Sequence, residues 1–148
     1  MLTSLKVIDH IHTDTKIIDE ISLSYEDRFI RRKKLTANNG TEFLVNLEET
    51  KSVDENYYFK LDSGEVIKVI SKEENLIEIT GDNIKQIIWH IGNRHLPCQI
   101  EDKRILIQDD PVIEDMINKL KGSVTKVVEK FKPEGGAYGL GRTHSHKH

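Results

Sequence analysis

The period of the hydrophobic pattern changes near residue 72, and that change limits the fold more than any other feature of the chain. Before it, the pattern has the two-residue period of half-buried strands. Residues 21–25 (ISLSY) alternate apolar and polar side chains, and residues 41–47 (TEFLVNL), 56–61 (NYYFKL) and the run GEVIKVIS ending near Ser71 are rich in β-forming residues. Asn39-Gly40 and Ser63-Gly64 stand between such runs, and both dipeptides supply the positive φ that tight hairpin turns need. Residues 1–72 are therefore expected to form a small antiparallel β-domain.

Beyond residue 72 strands alternate with helical spacing. LIEIT at 76–80 suits a strand, and Asp82 or Asn83 can cap a helix whose apolar residues Ile84, Ile87, Ile88 and Ile91 follow i, i+3, i+4, i+7. Two short strands, CQIE and RILIQ, join across Asp102-Lys103. Asp109-Asp110-Pro111 then opens a second helix, with Val112, Ile113, Met116, Ile117 and Leu120 as its apolar face and Gly122 as its stop. VTKVVEKF completes the order β-α-β-β-α-β, a ferredoxin-like unit over residues 73–133. Residues 134–148 hold Gly135, Gly136, Gly139 and Gly141 ahead of three histidines, and are expected to form a flexible tail. The fold class expected is α+β.

Charge and cysteine usage exclude several functions. The 148 residues carry a net charge of only -3, whereas a nucleic-acid partner normally requires a strong basic excess on one face. The densest basic cluster, RRKK at 31–34, is diluted by Glu26, Asp27 and Glu42. Cys98 is the single cysteine, so no intramolecular disulfide can form and a reducing compartment is expected. The N-terminus shows no signal-peptide pattern, and no apolar run approaches the roughly 20 residues of a membrane span, so a cytoplasmic location without membrane contact is expected. HExxH, nucleophile-elbow and phosphate-loop motifs are absent from the sequence.

The histidines carry the remaining chemical signal. His10 and His12 are two apart, a spacing that shares one face of a strand, and two imidazoles fill half a coordination sphere. His90 and His95 are five apart and would point about 140° away from each other on one helix. His95 lies four residues after Ile91, continuing the apolar stripe toward other protein. It suits a satisfied core residue, or a ligand that meets its own copy across a two-fold axis. His144, His146 and His148 alternate in the tail, where an interrupted His-rich tract is suited to capturing metal. All-imidazole ligation favours nickel, copper or zinc without choosing among them. Cys98 is either a soft ligand or acid-base partner of His95, or a small buried residue that starts a strand.

With these residues in view, the chain resembles the UreE urease accessory proteins, the nickel metallochaperones of urease maturation. GNRHLPCQI at 92–100 is similar to that family's GNRH segment, and GGAYGLGRTHSH at 135–146 resembles its glycine-then-histidine ending. LSYEDRFIRRKK, NNGTEFLVNL and LDSGEVIKVI fit its N-terminal half more loosely. The resemblance implies a peptide-binding β-domain and a ferredoxin-like domain that binds metal and dimerises. It also implies a homodimer in which the two His95 residues share Ni2+ near the two-fold axis. His144 and His146, with His148, are then supplementary ligands, and zinc or copper could occupy the same donors in vitro. The acceptors implied are the GTPase UreG and the apo-urease assembly, and no enzymatic activity is implied. Some relatives carry His-x-His before the second helix, where this chain has Asp109-Asp110-Pro111. The rival readings are a metal-independent peptide-binding adaptor and a metal-dependent hydrolase using Asp109 or Asp110 as base.

Overall fold

A computed structural model describes residues 1–135, and the chain divides into two compact units, Met1–Lys72 and Glu73–His148. The first unit holds β1 (Leu2–Ile8), β2 (Ile17–Leu23), β3 (Phe29–Thr36), β4 (Glu42–Ser52), β5 (Tyr58–Leu61) and β6 (Val66–Ser71) in one sheet of order β2-β6-β5-β1-β4-β3. Alternation does its expected work here: Phe43, Val45 and Leu47 on β4 and Ile21 and Leu23 on β2 are buried, while the residues between them are not. Phe43 and Phe59 are fully buried, with their rings tilted at 55° and 5.5 Å between centroids. Gly40 (φ 95) and Gly64 (φ 92) occupy the positive-φ turns of the β3–β4 and β5–β6 hairpins.

The sheet differs from a purely antiparallel one, because β1 pairs with β4 and β2 with β6 in parallel. Parallel neighbours need long connections, here supplied by intervening strands of the same sheet. Turn dipeptides report only the local hairpins and carry no record of such insertions.

Asp19 fixes how the two ends of this sheet approach each other. Its carboxylate is 4% exposed on β2 and accepts hydrogen bonds from the backbone N–H of Glu20 (2.7 Å), Asn39 (3.1 Å) and Thr41 (3.3 Å). Burial pushes this carboxyl up, but the Thr41 hydroxyl and these N–H donors outweigh it and hold the group below its ordinary range. Asp19→Asn, which sets an amide donor among N–H donors, is expected to destabilise the first unit by about 1–3 kcal/mol at pH 7. A group with a lowered folded pKa stabilises above its unfolded value and loses that contribution as pH falls through the folded one. Urea titrations should therefore show the difference between wild type and variant shrinking below about pH 4.

The second unit runs β7 (Glu73–Thr80), α1 (Ile84–Asn93), β8 (Gln99–Ile100), β9 (Ile105–Gln108), α2 (Pro111–Lys119) and β10 (Ser123–Lys130), with sheet order β10-β7-β9-β8. This is the expected βαββαβ arrangement. Ile87, Ile91, Ile113 and Ile117 of the helices close over Ile77, Ile79, Ile105 and Ile107 of the sheet. Asp110 caps α2, its side chain accepting from the N–H of Val112 and Ile113, with Pro111 in the first turn. Asn83 stands at the N-cap of α1 without a side-chain cap bond and instead donates its Nδ2 to Leu120 O, tying the start of α1 to the end of α2.

Gly122 is required by space. A Cβ there would lie 2.6 Å from Ile87 Cδ1 and 2.9 Å from Ile117 Cγ2, so the core of this unit closes against bare backbone. Arg104, in the connection between β8 and β9, ties that connection to β7 and β10: it donates to Glu78 Oε2 (2.9 Å), bidentately to Glu129 (2.8 and 2.8 Å) and to Glu101 Oε1 (3.0 Å).

Candidate metal centre

The GNRHLPC segment is the end of α1, and the way this helix stops determines what His95 can do. Helical geometry ends at Asn93 with Arg94 as C-cap, so His95 lies beyond the helix and off its apolar stripe. His95 takes a left-handed φ of 57°. Its N–H donates to Gly92 O (3.0 Å) while the N–H of Leu96 donates to Ile91 O (3.3 Å). This pair of bonds is a Schellman stop, whose left-handed position is usually glycine. Leu96 turns back onto the core cluster that contains Ile91, the hydrophobic contact that commonly accompanies this stop. Pro97 then prevents any continuation. The outcome corrects the stripe expectation: His95 is exposed, held at the helix end by main-chain bonds and not by burial of its ring.

A second segment reaches the same place. Beyond β10 the chain runs beside β8, with Lys132 N–H donating to Gln99 Oε1 (2.8 Å) and Glu134 N–H donating to Cys98 O (2.8 Å). The chain therefore leaves the described residues beside Cys98, three residues from His95. His144, His146 and His148 lie outside the described residues. Their reach is still bounded by covalent geometry: the nine residues from Gly135 to His144 span at most about 30 Å, and the three from Cys98 to His95 about 11 Å.

Cys98 packs against the second core cluster. Burial pushes its thiol up and the carboxylate of Glu134 adds to that, so the neutral thiol prevails at physiological pH and a packing role fits it better than a thiolate one. Trp89 is 62% exposed on α1, with its ring edge-on to that of His90 at 5.1 Å. His10 and His12 are exposed beyond the end of β1, where His10 contacts Asp9 at 2.9 Å, so they do not share a strand face. Asp110 is committed to capping α2, and Asp109 lies 3.8 Å from Lys126, which gives neither the setting of a catalytic base. Among the described residues no group of three or more His, Cys, Asp or Glu side chains is arranged to hold a metal ion. In one chain His95 is thus exposed and belongs to no such group among the described residues.

The two units define the class, a β-domain followed by a ferredoxin-like domain. The family description "UreE urease accessory protein, N-terminal domain" matches residues 3–71, and "UreE urease accessory protein, C-terminal domain" matches residues 74–148. The chain is 50% identical over 130 residues to a urease accessory protein UreE of Ruegeria pomeroyi, covering 88% of this chain and 87% of the relative. It is 48% identical over 130 residues to one of Rhodobacter capsulatus, covering 88% and 83% respectively. A relative from Azorhizobium caulinodans is 37% identical over 158 aligned residues, covering 100% of this chain and 76% of its own length. The chain belongs to the UreE urease accessory protein family, a family of accessory proteins and not of enzymes. Among the described residues no helix is long and apolar enough to cross a membrane.

Proposed function

We propose that this protein is a cytoplasmic nickel metallochaperone that takes Ni2+ as cargo between the His95 residues of two copies and passes it to the urease maturation complex. His144 and His146, with His148, are supplementary ligands that complete the coordination and leave it first. UreG and the apo-urease assembly are the acceptors. The observation that carries this reading is the exit of the chain beside Cys98, which brings the tail's attachment point to the helix end that presents His95. Exposed Trp89 on the same helix is compatible with a two-fold contact, since aromatic residues are enriched at interfaces. Imidazole donors on two separate segments allow stepwise ligand exchange, which a closed thiolate cage does not.

Nickel titration calorimetry with parallel mass measurement tests this, comparing the intact chain with His95→Ala and with a truncation after Gly141. The intact dimer is expected to bind nickel, the truncation to bind it more weakly, and His95→Ala to lose the shared site. Affinity should fall as the solution is acidified, because protons compete with the metal for imidazole. A monomer whose binding depended only on the tail would overturn the shared site. Absence of nickel binding near micromolar concentrations would favour a metal-independent peptide adaptor.

A further inference from the structure

The chain leaves β10 at one edge of the second sheet and is then held against β8, the strand at the opposite edge. No strand ladder makes this hold. Arg104 binds Glu129 of β10 through two hydrogen bonds of 2.8 Å, and Phe131 is fully buried. Gln99 of β8 then accepts the N–H of Lys132 on Oε1 (2.8 Å), and the main-chain oxygen of Cys98 accepts that of Glu134 (2.8 Å).

Gln99 joins these anchors into one network. Its Nε2 donates to Glu101 Oε2 (2.7 Å), while Glu101 Oε1 accepts from Arg104 Nε (3.0 Å). A carboxylate can only accept and a backbone N–H can only donate, so the two partners fix which end of the Gln99 amide faces Lys132. Hydrogen-bonded chains of this kind reinforce each link. The exit segment is thus gripped on both sides of Phe131, by Arg104 at Glu129 and by Gln99 at Lys132. Without the second grip the chain from its last fixed residue to His144 lengthens from ten residues, counted from Glu134, to thirteen, counted from Phe131. It also loses its origin beside Cys98.

We propose that Gln99 is a positioning residue: by holding Lys132 N–H it sets the departure point of the C-terminal tail beside the helix end that carries His95. The placement belongs to the metal-free chain and needs no nickel. Its use in metal exchange rests on the function proposed above.

The test is amide hydrogen exchange on the metal-free full chain and on Gln99→Met, which keeps the length of the side chain and removes its acceptor. The Lys132 and Glu134 amides are expected to exchange about tenfold faster in the variant, with Ile77 and Ile105 unchanged as the control for folding. Lys132→Pro deletes the donor instead of the acceptor and should loosen Glu134 equally. A nitroxide on Ser145→Cys, in a Cys98→Ala background, then reports the tail. Its relaxation enhancement of the His95 and Leu96 amides should fall roughly twofold or more in either variant, as the tether lengthens and its origin moves. Unchanged exchange at Lys132 and Glu134 would remove Gln99 as the anchor. Faster exchange with unchanged relaxation at His95 would leave a local clasp that positions nothing, and would overturn the proposal. Both changes together, with no nickel bound by the intact chain near micromolar concentrations, would sustain the placement and overturn the carrier function instead.

Discussion

Replacing His95 with glycine should disrupt the proposed shared nickel site and leave the second domain as stable as before, to within about 1 kcal/mol. The expectation follows from the left-handed φ of 57° at this position. A side chain there costs about 1 kcal/mol or more that glycine does not incur, and the greater freedom of glycine in the unfolded chain offsets part of the gain. No cavity opens, because the imidazole is exposed and both bonds of the helix stop are made by main-chain atoms. The metal effect is opposite in kind. Under the proposed function, loss of both copies of this ligand should weaken nickel binding at least tenfold, which is about 1.4 kcal/mol. Calorimetric titration and denaturant unfolding on one preparation separate the two. Wild-type nickel affinity in His95→Gly would remove His95 from the site, and a loss of several kcal/mol in stability would mean that its ring supports the fold.

Arg104→Met is the second substitution with a large expected effect, and it acts on the fold. Arg104 is 25% exposed and donates to three glutamates, whose carboxylates would be left together without a counter-charge. Breaking this partly exposed network should destabilise the second domain by about 1–2 kcal/mol at pH 7, between the values for a surface pair and a fully buried one. The pH dependence identifies the cause. In the wild type the hydrogen-bonded guanidinium holds the Glu129 carboxyl below the usual carboxylate range. That contribution is present above about pH 4.3 and fades as pH falls through the lower folded value. In the variant, mutual repulsion raises the glutamates, so acidification from pH 7 to 5 should recover stability. Hydrogen exchange of the Ile77 and Ile105 amides reads this domain by itself. An equal loss at pH 7 and pH 4 would exclude charge as its origin.

What could be read in advance depended on whether a residue's partner was local. Ile84, Ile87 and Ile91 define α1 and Asp110-Pro111 the start of α2 because helical spacing and caps lie within one segment. Asn39-Gly40 and Ser63-Gly64 mark hairpins for the same reason. β1 gave no such signal, since Ser4 is its one fully buried residue and a register shift at Leu5 breaks the alternation. β3 was hidden by its run of four cations. Their parallel or edge placement depends on distant strands. The end of α1 was legible in principle: Leu96-Pro97 after Arg94-His95 is a helix stop, and Leu96 returns to Ile91 as the stop requires. Counting residues along an unbroken stripe carried His95 past that stop and toward the core. Gly122 was read as a stop as well, but the left-handed residue is Lys121 (φ 62), and Gly122 answers the close approach of Ile87 and Ile117.

The end of α1 also has an electrostatic consequence. Aligned peptide dipoles leave about half a negative charge at a helix C-terminus, worth roughly 0.3–1 kcal/mol to a neighbouring cation. His95 stands one residue past the C-cap, so an ion held there, as proposed, would rest in that field before any second donor arrived. The field acts on charge alone and treats nickel, copper and zinc alike. For the proposed site, the backbone of α1 would therefore contribute attraction, and the discrimination among ions would belong to the number and geometry of the imidazole donors.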